Sequence, residues 1–231
     1  METLKCADLC KDYGPVRALD HVDLTLEEGR IVGLLGPNGS GKTTLIKLAS
    51  RLLVPSGGSI TICGEEPGVE TKAMVSYLPD RNYLPDYMNS RQLIGMYKDF
   101  FADFDETRAL DMLESLNMDM DMPIRKMSKG NKEKVQLIMT MSRRAKIYLL
   151  DEPIAGVDPA ARDFILRTII SNYDETATVL ISTHLIADVE NVLDEAIFLK
   201  EGEIVLHQNV DELKENTGKS VDEYFREVFR C

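Results

Sequence analysis

The sequence predicts an α/β fold: a mainly parallel sheet flanked by helices, with an antiparallel β subdomain at the N-terminus and a helical insertion. Three observations predict it. The apolar run Ile31-Val32-Gly33-Leu34-Leu35 leads into a glycine-rich segment, 36–44, and then a helix-prone stretch ending near Leu53. A second buried-type strand, 146–150, stops at Asp151-Glu152-Pro153, and a third, 178–182, stops at Thr183-His184. Between the first two, from Asn89 to about Met141, the pattern turns helical.

The segment 36–44 reads Gly36-Pro37-Asn38-Gly39-Ser40-Gly41-Lys42-Thr43-Thr44. Its glycines let backbone N–H groups converge on α- and β-phosphates where a side chain would block approach. Lys42 can reach the β- and γ-phosphates, and the Thr43 hydroxyl can ligate Mg²⁺. A helix opening at Thr44 adds the positive end of its dipole. Strand, loop and helix together read as a P-loop NTPase core that binds a nucleoside triphosphate.

With 39 acidic against 27 basic residues, the net charge is −12, which argues against a broad nucleic-acid surface. The length of 231 residues suits a single domain. Within it, 1–85 and 145–231 are expected to form the nucleotide-binding core, and 86–144 a helical subdomain. Cys6, Cys10, Cys63 and Cys231 lack metal-ligand spacing; with no secretory signal at the start, they read as reduced thiols in a cytosolic protein. Cys231, as the last residue, cannot serve a C-a-a-X box. No apolar run approaches the ~20 residues that cross a bilayer, so any membrane-spanning part belongs to another chain.

Taken in order, 2–10 and 20–28 alternate and read as strands. The turn between them exposes Tyr13, whose ring can stack on an adenine or simply pack. Short strands follow at 59–64 and 74–78, the second ending at Pro79-Asp80. Asn89 or Ser90 caps a helix reaching Phe101, Asp105 one reaching Asn117, and a third runs from Ser128 to about Ser142. Seven of the eleven methionines lie in 112–141, which suits either an adaptable partner surface or ordinary core. A helix spans 159–173, strands span 195–200 and 203–207, and two short helices end the chain. The last, 221–229, aligns Val221, Tyr224, Phe225, Val228 and Phe229 on one face, as core or as partner surface.

The acids complete a site. A carboxylate at a strand's C-terminal edge beside a P-loop, here Asp151, can hold Mg²⁺, while Glu152 can polarise the attacking water. His184, at the end of its strand, sits at the same edge as a candidate γ-phosphate contact.

Over nearly the whole chain, this order of motifs resembles the ATP-binding subunit of an ABC transporter. The resemblance assigns Tyr13 to the adenine-stacking aromatic, 36–43 to the P-loop, Ile147 to Asp151 to the Walker B strand and Glu152 to the catalytic glutamate. Ala155-Gly156-Val157-Asp158 is similar to the D-loop, His184 to the switch histidine, and Met127-Ser128-Lys129-Gly130-Asn131 to the signature usually written LSGGQ. Two positions depart from the pattern. Lys129 stands for the first signature glycine, with Asn131 for its glutamine, although Ser128 and Gly130 remain. Asp80 stands where the Q-loop glutamine is usual; it can ligate Mg²⁺ but is shorter and charged.

The resemblance implies ATP and Mg²⁺, with Thr43, Asp151 and Asp80 as metal ligands and Lys42, Glu152 and His184 as catalytic groups. It implies a second ATPase subunit, identical or a paralogue, closing head-to-tail so that Ser128 and Gly130 meet the other chain's γ-phosphate. It also implies a separate transmembrane subunit, and hence a position on the cytoplasmic face of the membrane. Residues 82–87, with Tyr83 and Tyr87, together with the helical insertion, are the expected seat for that subunit unless the tyrosines pack locally. Lys129, the short tail after His207 and the segment 220–225 resemble export-type (ABC-2-like) subunits. Alternatives are a soluble ABC ATPase in translation or DNA repair, or a nucleotide-binding regulator without turnover. A GTPase is disfavoured because Asn131-Lys132-Glu133-Lys134 lacks the aspartate of N-K-x-D.

Overall fold

The computed structural model describes residues 1–229; the expectations for Cys231 lie outside them. Strands β3 (Ile31–Leu35), β6 (Ile147–Asp151) and β7 (Thr178–Thr183) are buried at every position. Strands covered on both faces read as continuous apolar runs, which is why the sequence marks them so clearly. With β5 (Val75–Leu78), β8 (Glu195–Lys200) and β9 (Glu203–Asn209) they form a six-stranded sheet in the order β5-β6-β7-β3-β8-β9. Its pairings are parallel except the β8–β9 hairpin. A separate antiparallel sheet, β2-β1-β4, joins β1 (Glu2–Tyr13), β2 (Val16–Glu27) and β4 (Gly57–Ile62).

The N-terminal strands run longer than their alternation predicts, meeting in a tight turn at Gly14-Pro15. Register shifts interrupt their pairing, and Asp8 and His21 take φ of 50° and 48°. Each bulge breaks the two-residue period on which the sequence reading depends. Helix α1 (Lys42–Ala49) is offset from the expected 44–53 at both ends. Gly41, at φ 111°, is its N-cap, so Lys42 and Thr43 already belong to the helix, while Arg51 at φ 57° breaks it after one further residue.

Helices α2 (Ser90–Phe100), α3 (Glu106–Ser115) and α4 (Lys129–Met141) lie close to the sequence expectations because side-chain caps define them. Asn89 and Gln92 form a reciprocal capping box, and Asp105 and Ser128 cap the other two. These helices enclose their own cluster around Leu93, Leu113, Ile124, Val135 and Ile138. Met127 and Met139 are inside it, with Met112, Met118, Met120 and Met122 packed against it, so these methionines are core.

Opposite α1 and the antiparallel sheet, the main sheet is covered by α5 (Pro159–Asn172), α6 (Ile186–Val189), α7 (Val210–Thr217) and α8 (Val221–Val228), with the end of α4 in the same apolar cluster. The sequence reading missed α6, a single turn too short for a periodic pattern. The aromatic stripe of α8 is core as well: Phe225 meets Phe198 edge-on at 5.2 Å.

Candidate functional site

Parallel strands deliver their C-terminal ends to one edge of a sheet. Here the register pairs Leu35 with Thr183 and Asp151 with Ser182, so β3, β6 and β7 release Gly36, Glu152 and His184 side by side. The loop 36–41 turns back onto α1 under tight steric limits. A Cβ on Gly36 would lie 2.4 Å from the Leu199 carbonyl oxygen, and one on Gly41 would lie 2.5 Å from that of Ala18. Pro37, Asn38 and Gly39 are exposed, while the buried Ser40 hydroxyl has no hydrogen-bond partner.

Lys42 folds back into this loop, 5% exposed. Its Nζ donates to the Gly36 carbonyl at 2.8 Å and the Pro37 carbonyl at 3.1 Å, and lies 3.4 Å from Glu152 Oε1. The other Glu152 oxygen is 3.0 Å from His184 Nδ1. Lysine, glutamate and histidine thus form one chain across the strand ends. Glu152 has φ 51°, a left-handed backbone that L residues adopt at some cost. The same turn sends its N–H to the Ser182 carbonyl and Ser182 Oγ and separates its side chain from that of Asp151.

Asp151 is fully buried. Its Oδ1 accepts from Ser182 Oγ at 2.6 Å and Thr43 Oγ1 at 3.0 Å, whereas its buried Oδ2 has no partner. Burial pushes the carboxyl above its ordinary value against the pull of those two hydroxyls, and the charges of Asp80 and Glu152 add to the rise. An aimed, unpartnered carboxylate oxygen beside a threonine hydroxyl fits an oxygen-loving divalent cation such as Mg²⁺. Ser182 is the residue that sequence reasoning missed. Its signal was a serine closing the apolar run Val179-Leu180-Ile181, but only the register with Asp151 gives it a partner.

The remaining expected residues lie around this centre. Thr44 follows Thr43 in the first turn of α1, half-buried. Tyr13 ends β1, 47% exposed, with Lys11 Nζ 5.4 Å from its ring centre. Asp80 is exposed just past β5 and helps line a cavity of about 200 Å³ that also touches Lys129, Glu133 and Glu152. Ser128 Oγ accepts from the Asn131 N–H at 3.2 Å, and Gly130 sits in the first turn of α4. Asp158 caps α5 through the Ala161 N–H. The structure therefore joins Lys42, Thr43, Asp151, Glu152 and His184 in one network, with Ser128, Gly130 and Asp158 serving local caps and turns.

Comparison with known proteins gives this geometry a family. The profile of the ABC transporter family matches residues 19–155, more than half of the chain. The ABC transporter ATP-binding protein YtrB of Bacillus subtilis (strain 168) is 31% identical over 215 residues, covering 92% of this chain and 74% of its own length. The lipopolysaccharide export system ATP-binding protein LptB of Escherichia coli (strain K12) is 29% identical over 99% of this chain and 97% of its own. A solved structure described as the ATP-binding subunit of an ABC transporter superposes with a TM-score of 0.88 at 27% identity, covering 99% of this chain and all of that one. The chain belongs to the ABC transporter family, as one of its ATP-binding, ATP-hydrolysing subunits.

Proposed function

We propose that this subunit powers export through a separate membrane-spanning partner, and that Lys42, Thr43, Asp151, Glu152 and His184 carry its hydrolytic step. The single observation that carries the reading is the Asp151 carboxylate, with one oxygen held by Ser182 and Thr43 and the other buried and unpartnered. Thr43 and Asp151, with Asp80 at the rim, would hold Mg²⁺. Bound there with the phosphates, the ion would neutralise charge developing on the transferred group.

The chain's own groups do the rest. Loop 36–41 presents N–H groups to the phosphates, and Lys42 exchanges its two carbonyl acceptors for phosphate oxygens. Glu152, 14% exposed and held between Lys42 and His184, orients a water and accepts its proton at a carboxylate oxygen. His184 fixes the far Glu152 oxygen and faces the γ-phosphate end. Tyr13 offers a ring to the base.

In this reading the chain acts as one ATPase unit, with 86–144 as its signature-bearing arm. Ser128, Gly130 and Asp158 complete the site of a second subunit, identical or a paralogue, in a head-to-tail dimer. The family works with membrane subunits, and among the described residues no helix is long and apolar enough to cross a membrane. A place on the cytoplasmic face follows from the reading, and export accords with the system named for LptB. The seat for the partner is a groove of about 250 Å³ between the sheet and the arm, lined by Leu52, Tyr77, Tyr83, Tyr97 and Arg143. The Tyr83 hydroxyl bonds that of Tyr97 at 2.6 Å, while Tyr87, four residues on and outside the groove's lining, is 73% exposed.

The test is co-purification of tagged Glu152→Gln protein from native membranes in mild detergent with ATP. A stoichiometric polytopic partner supports the reading. Recovery from the soluble fraction with ribosomal or DNA-repair proteins, or alone, overturns it.

A further inference from the structure

Glu152 and His184 meet where β6 and β7 end, and past that edge strand pairing no longer holds their segments together. Residues 153–162 turn into α5, and 185–190 form the single turn of α6. Buried apolar side chains join the two, since Ile154, Val157, Ala161, Ile186 and Val189 belong to one cluster. Such contact is not directional, so it gathers the segments without fixing how one sits along the other. Among the described hydrogen bonds, one joins 153–162 to 185–190, and Arg162 makes it. Its Nη1 donates to Asp188 Oδ2 at 2.7 Å. The same guanidinium reaches back over the first turn of α5, where Nε donates to the Val157 carbonyl at 3.3 Å. One planar fork thus holds two acceptors at once: the carbonyl just before Asp158 and the carboxylate four residues past His184.

Helix α6 needs such a tie. It spans four residues, and its N-cap, Leu185, makes no side-chain cap hydrogen bond. A turn this short does not persist unaided. Its neighbours are held at either end: Thr183 Oγ1 accepts from the Leu185 N–H at 3.0 Å, and Glu190 Oε2 accepts from the Asp222 N–H at 3.0 Å, at the start of α8. Neither bond reaches the loop after Glu152. Stability does not account for the ion pair. Arg162 and Asp188 are 28% and 35% exposed, and pairs this open to water add little.

We propose that Arg162 is a positioning residue that keys the turn after His184 to the start of α5. Through Asp188 it sets α6, and with it the backbone that presents His184. Through the Val157 carbonyl it sets the loop that ends at Asp158. His184 faces the chain's own γ-phosphate end, whereas Asp158 belongs to the second subunit's site. Arg162 therefore ties a group of one site to a group of the other. The inference rests on the proposed roles of His184 and Asp158 and adds the side chain that fixes one relative to the other.

The test is a double-mutant cycle on the full-length protein, read as steady-state Mg-ATP turnover, ATP affinity and melting temperature. Arg162→Met keeps the apolar stem and removes the donors; Asp188→Ala removes the acceptor. Each is expected to lose turnover about fivefold while ATP affinity stays within about twofold of wild type. Each should also melt within about 3 °C of wild type, as an exposed pair allows. The double variant loses no more than the worse single, because one bridge breaks only once. Asp188→Glu, which keeps the acceptor, recovers turnover to within about twofold of wild type. Losses that multiply in the double variant overturn the bridge, as does an Asp188→Glu protein no better than Asp188→Ala. Loss of ATP affinity in step with turnover overturns it too, since the arginine would then serve the fold alone. His184→Ala runs in the same assay. If it keeps wild-type turnover, the role of His184 falls, whereas wild-type rates in Arg162→Met beside an inactive His184→Ala remove the bridge alone.

Discussion

The strand-end centre and the start of the helical arm both handle phosphate in the proposed mechanism, yet they are built differently. At the strand ends, Asp151 is fully buried and Lys42 nearly so, and Thr43, Ser182 and Glu152 link them through contacts between residues far apart in sequence, 31 residues for Ser182–Asp151 and 108 for Thr43–Asp151. At the arm, Ser128 and Lys129 are exposed and their hydrogen bonds stay within the α4 cap or reach the Gly156 loop. Groups fixed by a sheet are placed before the ligand arrives, which favours the chemical step. Groups on a surface turn are free to be placed by another molecule. On the proposed reading, the hydrolytic centre is assembled within one chain, while the signature residues wait for a second.

The largest expected effect tests the first half of that contrast. Glu152→Gln should cut turnover by about 10²–10⁴-fold while leaving ATP binding near wild type, since loop and lysine contacts do not need the carboxylate. Single-turnover assays beside equilibrium nucleotide titration measure both. Parallel losses of binding and turnover would show Glu152 to be part of the binding site instead. In the presence of ATP this variant should also sediment as a dimer, because the step that reopens it is blocked.

The next effect tests the second half. Ser128→Ala should abolish ATP-induced dimerisation and cost about 1 kcal/mol through loss of the α4 cap, or about 2–4 °C in Tm for a chain of this size. Ser128→Asn restores the cap and hence the Tm. If dimerisation returns with it, Ser128 acts only as a cap, and the contrast between the two regions collapses. At the groove beside the arm, Tyr83→Ala/Tyr87→Ala should lose co-purification of the membrane partner while keeping ATP affinity; an unchanged pull-down removes that seat. Asp80→Gln should leave ATP binding intact and lower turnover several-fold; wild-type rates in both Asp80→Gln and Asp80→Ala would show it to be bystander loop.

What was legible in the sequence follows the same divide. Strands β3, β6 and β7 were readable because burial on both faces leaves an unbroken apolar run, and the P-loop because its glycines are demanded by backbone approach. Helices α2 to α4 were readable because Asn89, Asp105 and Ser128 mark their starts. The bulged ends of β1 and β2 were not, since each bulge shifts the two-residue period by one. Nor was Ser182, whose role depends on a register of parallel strands 31 residues apart. Likewise, Asp80 and Lys129 stood out singly, but their shared cavity required the fold.

The smallest effect is the most telling about how the centre is held ready. Burial raises the Asp151 carboxyl above its ordinary value of 3.8, so near neutral pH its ionised form is a source of strain in the nucleotide-free protein. The folded state then binds a proton more readily than the unfolded chain. Stability from this group therefore falls as pH rises from 3.8 through the raised value, and the strain is fully present above it. Asp151→Asn keeps an oxygen for Ser182 and Thr43 without the charge. Near pH 7 it should melt a few degrees above wild type in the nucleotide-free form, and the gap should close as pH falls through that window. Adding ATP and Mg²⁺ should reverse the order, because ligand stabilises only the protein that binds it well. A nucleotide-free Asp151→Asn protein that melts below wild type at every pH would mean that the buried charge is already compensated. In that case the cation-ready oxygen, and with it the contrast with the exposed arm, would have no energetic basis.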